Sequence, residues 1–278
     1  LDAGYQVTVF DLRPESTIEL CQSGAIWSDS PKEVGQVSDV LFTSLPGPAE
    51  VEKVMLDFTD GVLSALRPGS CYIDTTTNSP SISRKVAYAC NKQGVKMLDV
   101  PVSGRPPSMT MMAGGELETF SEYKALLECM GKNVFYVGAP GFGCVAKLVT
   151  QYLAYCGFVV ATEGLLIGAK AGLDLGILAE VVPVSAGSSR VFDVFPRSVF
   201  GGDFNASGTL DIVAKDVGLA CELAQEVGAE SVMGEFAKSV FRQAQVEGFG
   251  SLGYPAAVRI LEQAVGQELR WSRGTDDG

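Results

Sequence analysis

Lys147 is a cation set in an apolar run, with Val145, Ala146, Leu148 and Val149 around it. Gln151 and Tyr155 follow at i+4 and i+8, so on a helix the three make one polar stripe along an otherwise greasy surface. A lysine so placed either snorkels to a surface or is held in a cleft, where it would serve as a general acid or base. The chain has no histidine, which excludes Ser-His-Asp and Cys-His chemistry and every His-ligated metal. Proton transfer therefore falls to Lys, Asp, Glu, Tyr or Cys. The seven cysteines are odd in number, scattered and free of any CxxC pair, so neither a metal site nor a disulfide framework is expected, and the compartment reads as reducing.

Other candidates follow β-rich runs. Asp11 ends the run QVTVFD; an acid there can take a ribose 2′-hydroxyl and repel a 2′-phosphate, or be an ordinary strand-end turn residue. Arg13 is a counter-signal toward the phosphorylated dinucleotide. Ser44-Leu45-Pro46 closes a second run, and Asp74-Thr75-Thr76-Thr77-Asn78-Ser79-Pro80 follows a third. Hydroxyls at strand carboxyl ends lie where ligands bind in open α/β sheets, although Thr77 or Asn78 would equally cap a helix starting at Pro80. Pro101-Val102-Ser103-Gly104 offers a hydroxyl and amides to a carboxylate, or is simply a tight turn.

The elements that must position these residues divide the 278-residue chain in two. Up to about residue 138, strands Gln6–Asp11, Asp39–Leu45, Ser70–Thr75, Val95–Val100 and Asn133–Val137 alternate with helices such as Pro48–Leu56 and Pro80–Lys92. That is the pattern of a parallel sheet built from βαβ units, covered on both faces. After GAPGFG a single helix runs from Cys144 to Ala171 and breaks at Gly172, and only helical patterns follow. The polar tail Ser272–Gly278 is expected to fray. The expected domains are 1–142, a dinucleotide-binding unit, and 143–271, an all-helical unit for substrate and dimerisation.

Leu1-Asp2-Ala3-Gly4 reads as a helix end leading straight into a strand. The first strand of a doubly wound sheet and its G-x-G-x-x-G phosphate turn are not read before it, so the chain as delimited is expected to hold a dinucleotide poorly and turn over slowly or not at all, the alternative being that it is a trimmed piece of a longer, competent protein. Net charge is 21 − 33 = −12 without a basic block, so no nucleic acid partner is expected. The most apolar run, near Phe158–Ile167, is interrupted by Glu163, so no membrane span is expected either.

Five segments in series, DVLFTSLPGPAEVEKV, GSCYIDTTTNSP, DVPVSG, GFGCVAKLVTQ and IVAKDVGLA, resemble the 3-hydroxyisobutyrate dehydrogenase (β-hydroxyacid dehydrogenase) family over nearly the whole chain. In its helical half, with KLVTQYLA and SAGSSRVF, the chain is similar to the L-threonate dehydrogenase and tartronate semialdehyde reductase branches. The resemblance implies a Rossmann-like α/β domain, incomplete at its start, followed by an all-α domain. It implies hydride transfer between NAD, alternatively NADP, and a small hydroxy acid. Lys147 would be the proton-transfer residue, Ser103, Gly104 and Gln151 the substrate-binding residues. Asp11, Leu45, Pro46, Thr77 and Lys215 would contact the cofactor. Gln151 stands where the family usually has Asn, and the loop Arg105–Met109 is shorter than usual. A homo-oligomer, dimer or tetramer, is implied, in the cytoplasm or the mitochondrion. Two other readings stay open: a 6-phosphogluconate dehydrogenase-like enzyme, whose lysine helix normally carries His-Asn, and a catalytically silent scaffold of the same fold.

Overall fold

A computed structural model describes residues 1–106, 108–205 and 208–271. The expectation for the tail, and Pro107 of the loop after Ser103, lie outside the described residues. The chain forms two compact units, Leu1–Lys147 and Leu148–Gly278.

In the first unit the order is β1 (Thr8–Val9), α1 (Ile18–Gln22), β2 (Ile26–Trp27), α2 (Pro31–Val37), β3 (Val40–Thr43), α3 (Pro48–Leu56), β4 (Cys71–Asp74) and α4 (Pro80–Lys92). It continues with β5 (Lys96–Asp99), β6 (Val102–Ser103), β7 (Met109–Gly115), α5 (Leu117–Glu128) and β8 (Gly131–Gly138). Proline stands at the start of α2, α3 and α4, where a missing N–H costs nothing. The cap of α4 is Ser79, whose hydroxyl accepts from the Ile82 amide, and not Thr77 or Asn78.

Strands β3, β4 and β5 are parallel neighbours, and their last rung aligns Thr43, Asp74 and Asp99. The next strand, β7, runs antiparallel to β5, pairs parallel with β8, and forms a hairpin with β6. The sheet is thus Rossmann-like with one antiparallel insertion, where the alternation had suggested parallel strands throughout. Met109–Gly115 escapes a sequence reading because methionine and glycine are poor strand formers; its place inside the sheet overrides propensity. Strands β1 and β2 pair only with each other, as a separate two-stranded ladder. Side chains of β4 alternate between faces, Tyr72 entering one apolar core and Cys71 and Ile73 the other. Burial on both sides explains the unbroken apolar runs.

Helix α6 (Phe142–Lys170) begins in the first unit and continues into the second, which adds α7 (Leu175–Val181), α8 (Leu210–Glu226), α9 (Val232–Val246) and α10 (Val258–Val265). No strand ladder is present in that unit among the described residues. Its core gathers Phe158, Phe192, Phe195, Phe200 and Phe241. By length and composition alone α6 could cross a membrane, since Glu163 interrupts its sequence without lowering its mean hydropathy below 1.5. Its Cys156, Phe158, Val159, Leu165 and Leu166 are core residues of the second unit.

Candidate active site

The loops after β3 and β4 are organised by a carboxyl group that sequence reasoning passed over. Asp74 is 1% exposed. Its Oδ1 accepts from the Thr43 hydroxyl (2.9 Å) and the Thr76 amide (3.0 Å), and its Oδ2 from Asn78 Nδ2 (3.0 Å). Because a carboxylate only accepts, the Thr43 proton faces Asp74, and Tyr72 OH, 2.8 Å away, donates to Thr43. Thr76 Oγ1 in turn accepts from the Leu45 amide at 3.0 Å, latching Leu45-Pro46 to the β4 loop. Thr76 and Asn78 are buried, whereas Thr77 between them is partly exposed. Burial pushes the Asp74 carboxyl above its usual range, and the bonds from Thr76, Asn78 and Thr43 pull it back.

The neighbouring carboxyl on the same rung, Asp99, fixes the start of the lysine helix. Its Oδ1 accepts from the Gly141 amide at 2.7 Å and its Oδ2 from the Cys144 amide at 2.9 Å. These are N–H groups that a helix start leaves without partners, and a negative charge suits that end of the helix dipole. The approach is close enough that a Cβ on Gly143 would lie 2.3 Å from Asp99 O and 2.4 Å from Met112 O. Asp99 too is held above the carboxylate range by burial, with the two amides opposing. Cys144 is pushed well above its ordinary value by burial first and by the Asp99 and Asp74 charges second, so it stays a thiol and is no proton carrier.

Lys147 follows one turn later and is 6% exposed. Ser103 ends β6, four residues beyond Asp99, and pairs with Thr110 of β7. Gly104, with φ +87°, opens the hairpin turn that leads to β7, so the tight-turn reading of this segment holds whatever it binds. The first unit thus carries Leu45, Pro46 and Thr77 on loops tied by Thr76 and Asp74, Lys147 on the helix whose start Asp99 holds, and Ser103 with Gly104 at the end of β6. Asp11 lies just past β1, where its Oδ1 accepts from the Arg13 amide at 2.8 Å in a strand-end turn.

In the second unit, Gln151 of α6 joins Asp216, another residue missed from sequence. Asp216 is 1% exposed on α8; Gln151 Nε2 donates to its Oδ2 at 2.6 Å and Lys215 Nζ to its Oδ1 at 2.7 Å. Gln151 Nε2 also reaches Tyr155 OH at 3.2 Å, as the polar stripe implied. Burial, then the Asp216 charge, raises Tyr155 above the usual phenol value, so its hydroxyl stays protonated. The one legible signal for Asp216 was an acid inside the apolar face of AKDVGLA.

Known families match both units. Residues 1–138 match the NAD binding domain of 6-phosphogluconate dehydrogenase, and residues 141–261 the NAD-binding domain of NADP-dependent 3-hydroxyisobutyrate dehydrogenase. The chain is 30% identical to the NAD-dependent L-serine dehydrogenase of Pseudomonas aeruginosa, over 96% of this chain and 93% of that protein. It is 32% identical to the 3-hydroxyisobutyrate dehydrogenase of the same organism, over 87% and 85%. Among solved structures, a 3-hydroxyisobutyrate dehydrogenase from Salmonella typhimurium superposes with a TM-score of 0.83 at 30% identity, covering 93% of this chain and 92% of that one.

Proposed function

The chain belongs to the 3-hydroxyisobutyrate dehydrogenase family of NAD(P)-dependent hydroxy-acid dehydrogenases, and from that premise we propose that it oxidises a small β-hydroxy acid, or reduces the matching carbonyl, with Lys147 as the proton-transfer residue. The observation that carries this reading is a lysine 94% removed from solvent, one turn into a helix whose start is held by Asp99. Bound NAD(P) supplies the hydride acceptor, or in its reduced form the donor. Lys147 Nζ takes the hydroxyl proton as the C–O bond becomes a carbonyl, and returns it in the reverse direction. Ser103 and Gly104 hold the carboxylate, so that the reacting carbon is oriented before chemistry begins.

The residues present suit a dinucleotide. Leu45, Pro46 and Thr77 lie on loops at the carboxyl ends of β3 and β4, the edge where such sheets bind nucleotides. Asp11, at the end of β1, favours the ribose of NAD over the phosphate of NADP by like-charge repulsion. Lys215 is assigned to the cofactor side, and the unit 143–271 to substrate and oligomer contacts. Among substrates, the L-serine and 3-hydroxyisobutyrate of the named relatives, and L-threonate or tartronate semialdehyde, form the panel to try. Nicotinamide absorbance across that panel, with each cofactor, is the test. In a full-length version of the protein, turnover of one or more acids with higher kcat/KM for NAD is expected; no turnover of any would sink the reading, and a preference for NADP would assign the choice to Arg13.

A further inference from the structure

Within the second unit a cavity of about 710 Å³ opens beside α10, walled by Phe249, Arg259, Glu262, Gln263, Glu268 and Arg270 among others. That volume is in the range of small-molecule sites, and no residue assigned above to substrate, cofactor or proton transfer is in its wall. Its charges divide unequally. Glu262 is buried and fully engaged: its Oε1 accepts from Arg270 Nη1 at 2.6 Å and from the Leu269 amide at 2.8 Å, and its Oε2 from Arg270 Nη2 at 3.2 Å. Glu262 and Arg270 thus cancel, which leaves Arg259. Its guanidinium carbon lies 4.5 Å from the centre of the Phe204 ring and 5.1 Å from that of Phe249. Those contacts hold the half-buried cation in place but satisfy none of its five N–H donors, and among the described residues no acceptor does. Glu268, the other acid in the wall, is exposed and makes no ion pair with it. Acidic residues outnumber basic ones 33 to 21 in the chain, so scarcity of partners does not explain a fixed arginine facing a cavity without one.

We propose that this cavity binds a small organic monocarboxylate with an apolar body, its carboxylate taken by the Arg259 guanidinium. The planar fork of N–H donors matches the two oxygens of a carboxylate. The Phe249 ring gives the rest of the molecule an apolar wall. One surplus cation balances one negative charge. A phosphate dianion would bring a second negative charge beside Glu262 and Glu268, in a chain already at −12. The site is independent of the proposed dehydrogenase chemistry, and a ligand there would act on the helical unit alone.

The test titrates the full chain by calorimetry with phenylacetate, its neutral isostere phenylacetamide, and inorganic phosphate. Phenylacetate should bind about tenfold tighter than either, because a fixed guanidinium rejects the analogue that cannot pair with it. Arg259→Gln should weaken phenylacetate by about the same factor and leave phenylacetamide unchanged. A carboxylate held instead by Ser103 and Gly104 is told apart by fluorescence. In Trp27→Phe the only tryptophan left is Trp271, next in the chain to Arg270 of the cavity wall, and its emission should change with the same midpoint as the heat. If Arg259→Gln does not fold, the amide comparison and the Trp271 emission still decide. The inference is overturned by phenylacetamide binding as tightly as phenylacetate, by Arg259→Gln binding phenylacetate as wild type does, by heat without a change at Trp271, or by no binding at all. Phosphate binding tighter than phenylacetate overturns the monocarboxylate assignment. None of these outcomes touches the dehydrogenase reading, which the nicotinamide assay decides separately.

Discussion

Lys147 sits among apolar neighbours at 6% exposure, and the proposed proton transfer places its work away from bulk water. On the proposed mechanism, replacing it by alanine removes the group that carries the proton. Lys147→Ala should lower kcat by roughly 10²–10⁴-fold, with an unchanged unfolding curve; activity within a few-fold of wild type would take Lys147 out of the mechanism. Ser103 is a different case. If it anchors the carboxylate equally in ground and transition states, Ser103→Ala raises KM and leaves kcat nearly alone, and a fall in kcat instead would give Ser103 a part in the chemistry. The sequence exposed Lys147 because a lone cation in an apolar helix breaks a pattern visible over a few residues. Asp99 breaks no such pattern, and the acid Asp216 within AKDVGLA stands beside a lysine that masks it. Their meaning lies in partners 42 and 45 residues away for Asp99 and 65 residues away for Asp216, which only folding brings near.

Elements were legible where local chemistry decides them. Helices Pro48–Leu56 and Pro80–Lys92 have the bounds their prolines imply, and the long helix expected at Cys144–Ala171 runs over Phe142–Lys170. The two-residue strands β1 and β2 and the Met-Gly strand β7 were shortened or missed, because pairing and not propensity makes them strands. At the junction of β5, β7 and α6, Asp99 is the tie. Asp99→Asn keeps one acceptor but turns an NH₂ group toward an amide N–H, which should cost about 1–3 kcal/mol and lower kcat by loosening the turn before Lys147. The pH dependence has a definite sign. Burial raises the folded-state value of this carboxyl above its usual 3.8, so its contribution to stability is full below that pH and is lost as pH rises through the folded value. The stability gap between wild type and Asp99→Asn should therefore narrow in urea titrations as pH rises above the usual carboxylate value. A gap that widens with pH would mean the two amides outweigh burial.

At the scale of the molecule, the unanswered surface is the outer face of α6. Val149, Leu153, Val160 and Ile167 recur at spacings of four and seven residues, which places them along one stripe, and Leu153 and Ile167 are 66% and 71% exposed. Scattered exposed leucines need no explanation, but a continuous apolar stripe along a helix with an otherwise buried face does. A chain with a net charge of −12 pays for self-association in repulsion, so such a stripe must return more in buried area than the charges cost. We propose that a second copy of the chain covers it. Sedimentation velocity should show an oligomer, and Leu153→Asp, which puts a charge at the centre of the stripe, should shift it toward monomer while the circular dichroism of the helices is retained. A wild-type monomer at micromolar concentration would refute the interface outright. An oligomer that Leu153→Asp leaves untouched would place the contact elsewhere, and the stripe on α6 would then need a different occupant.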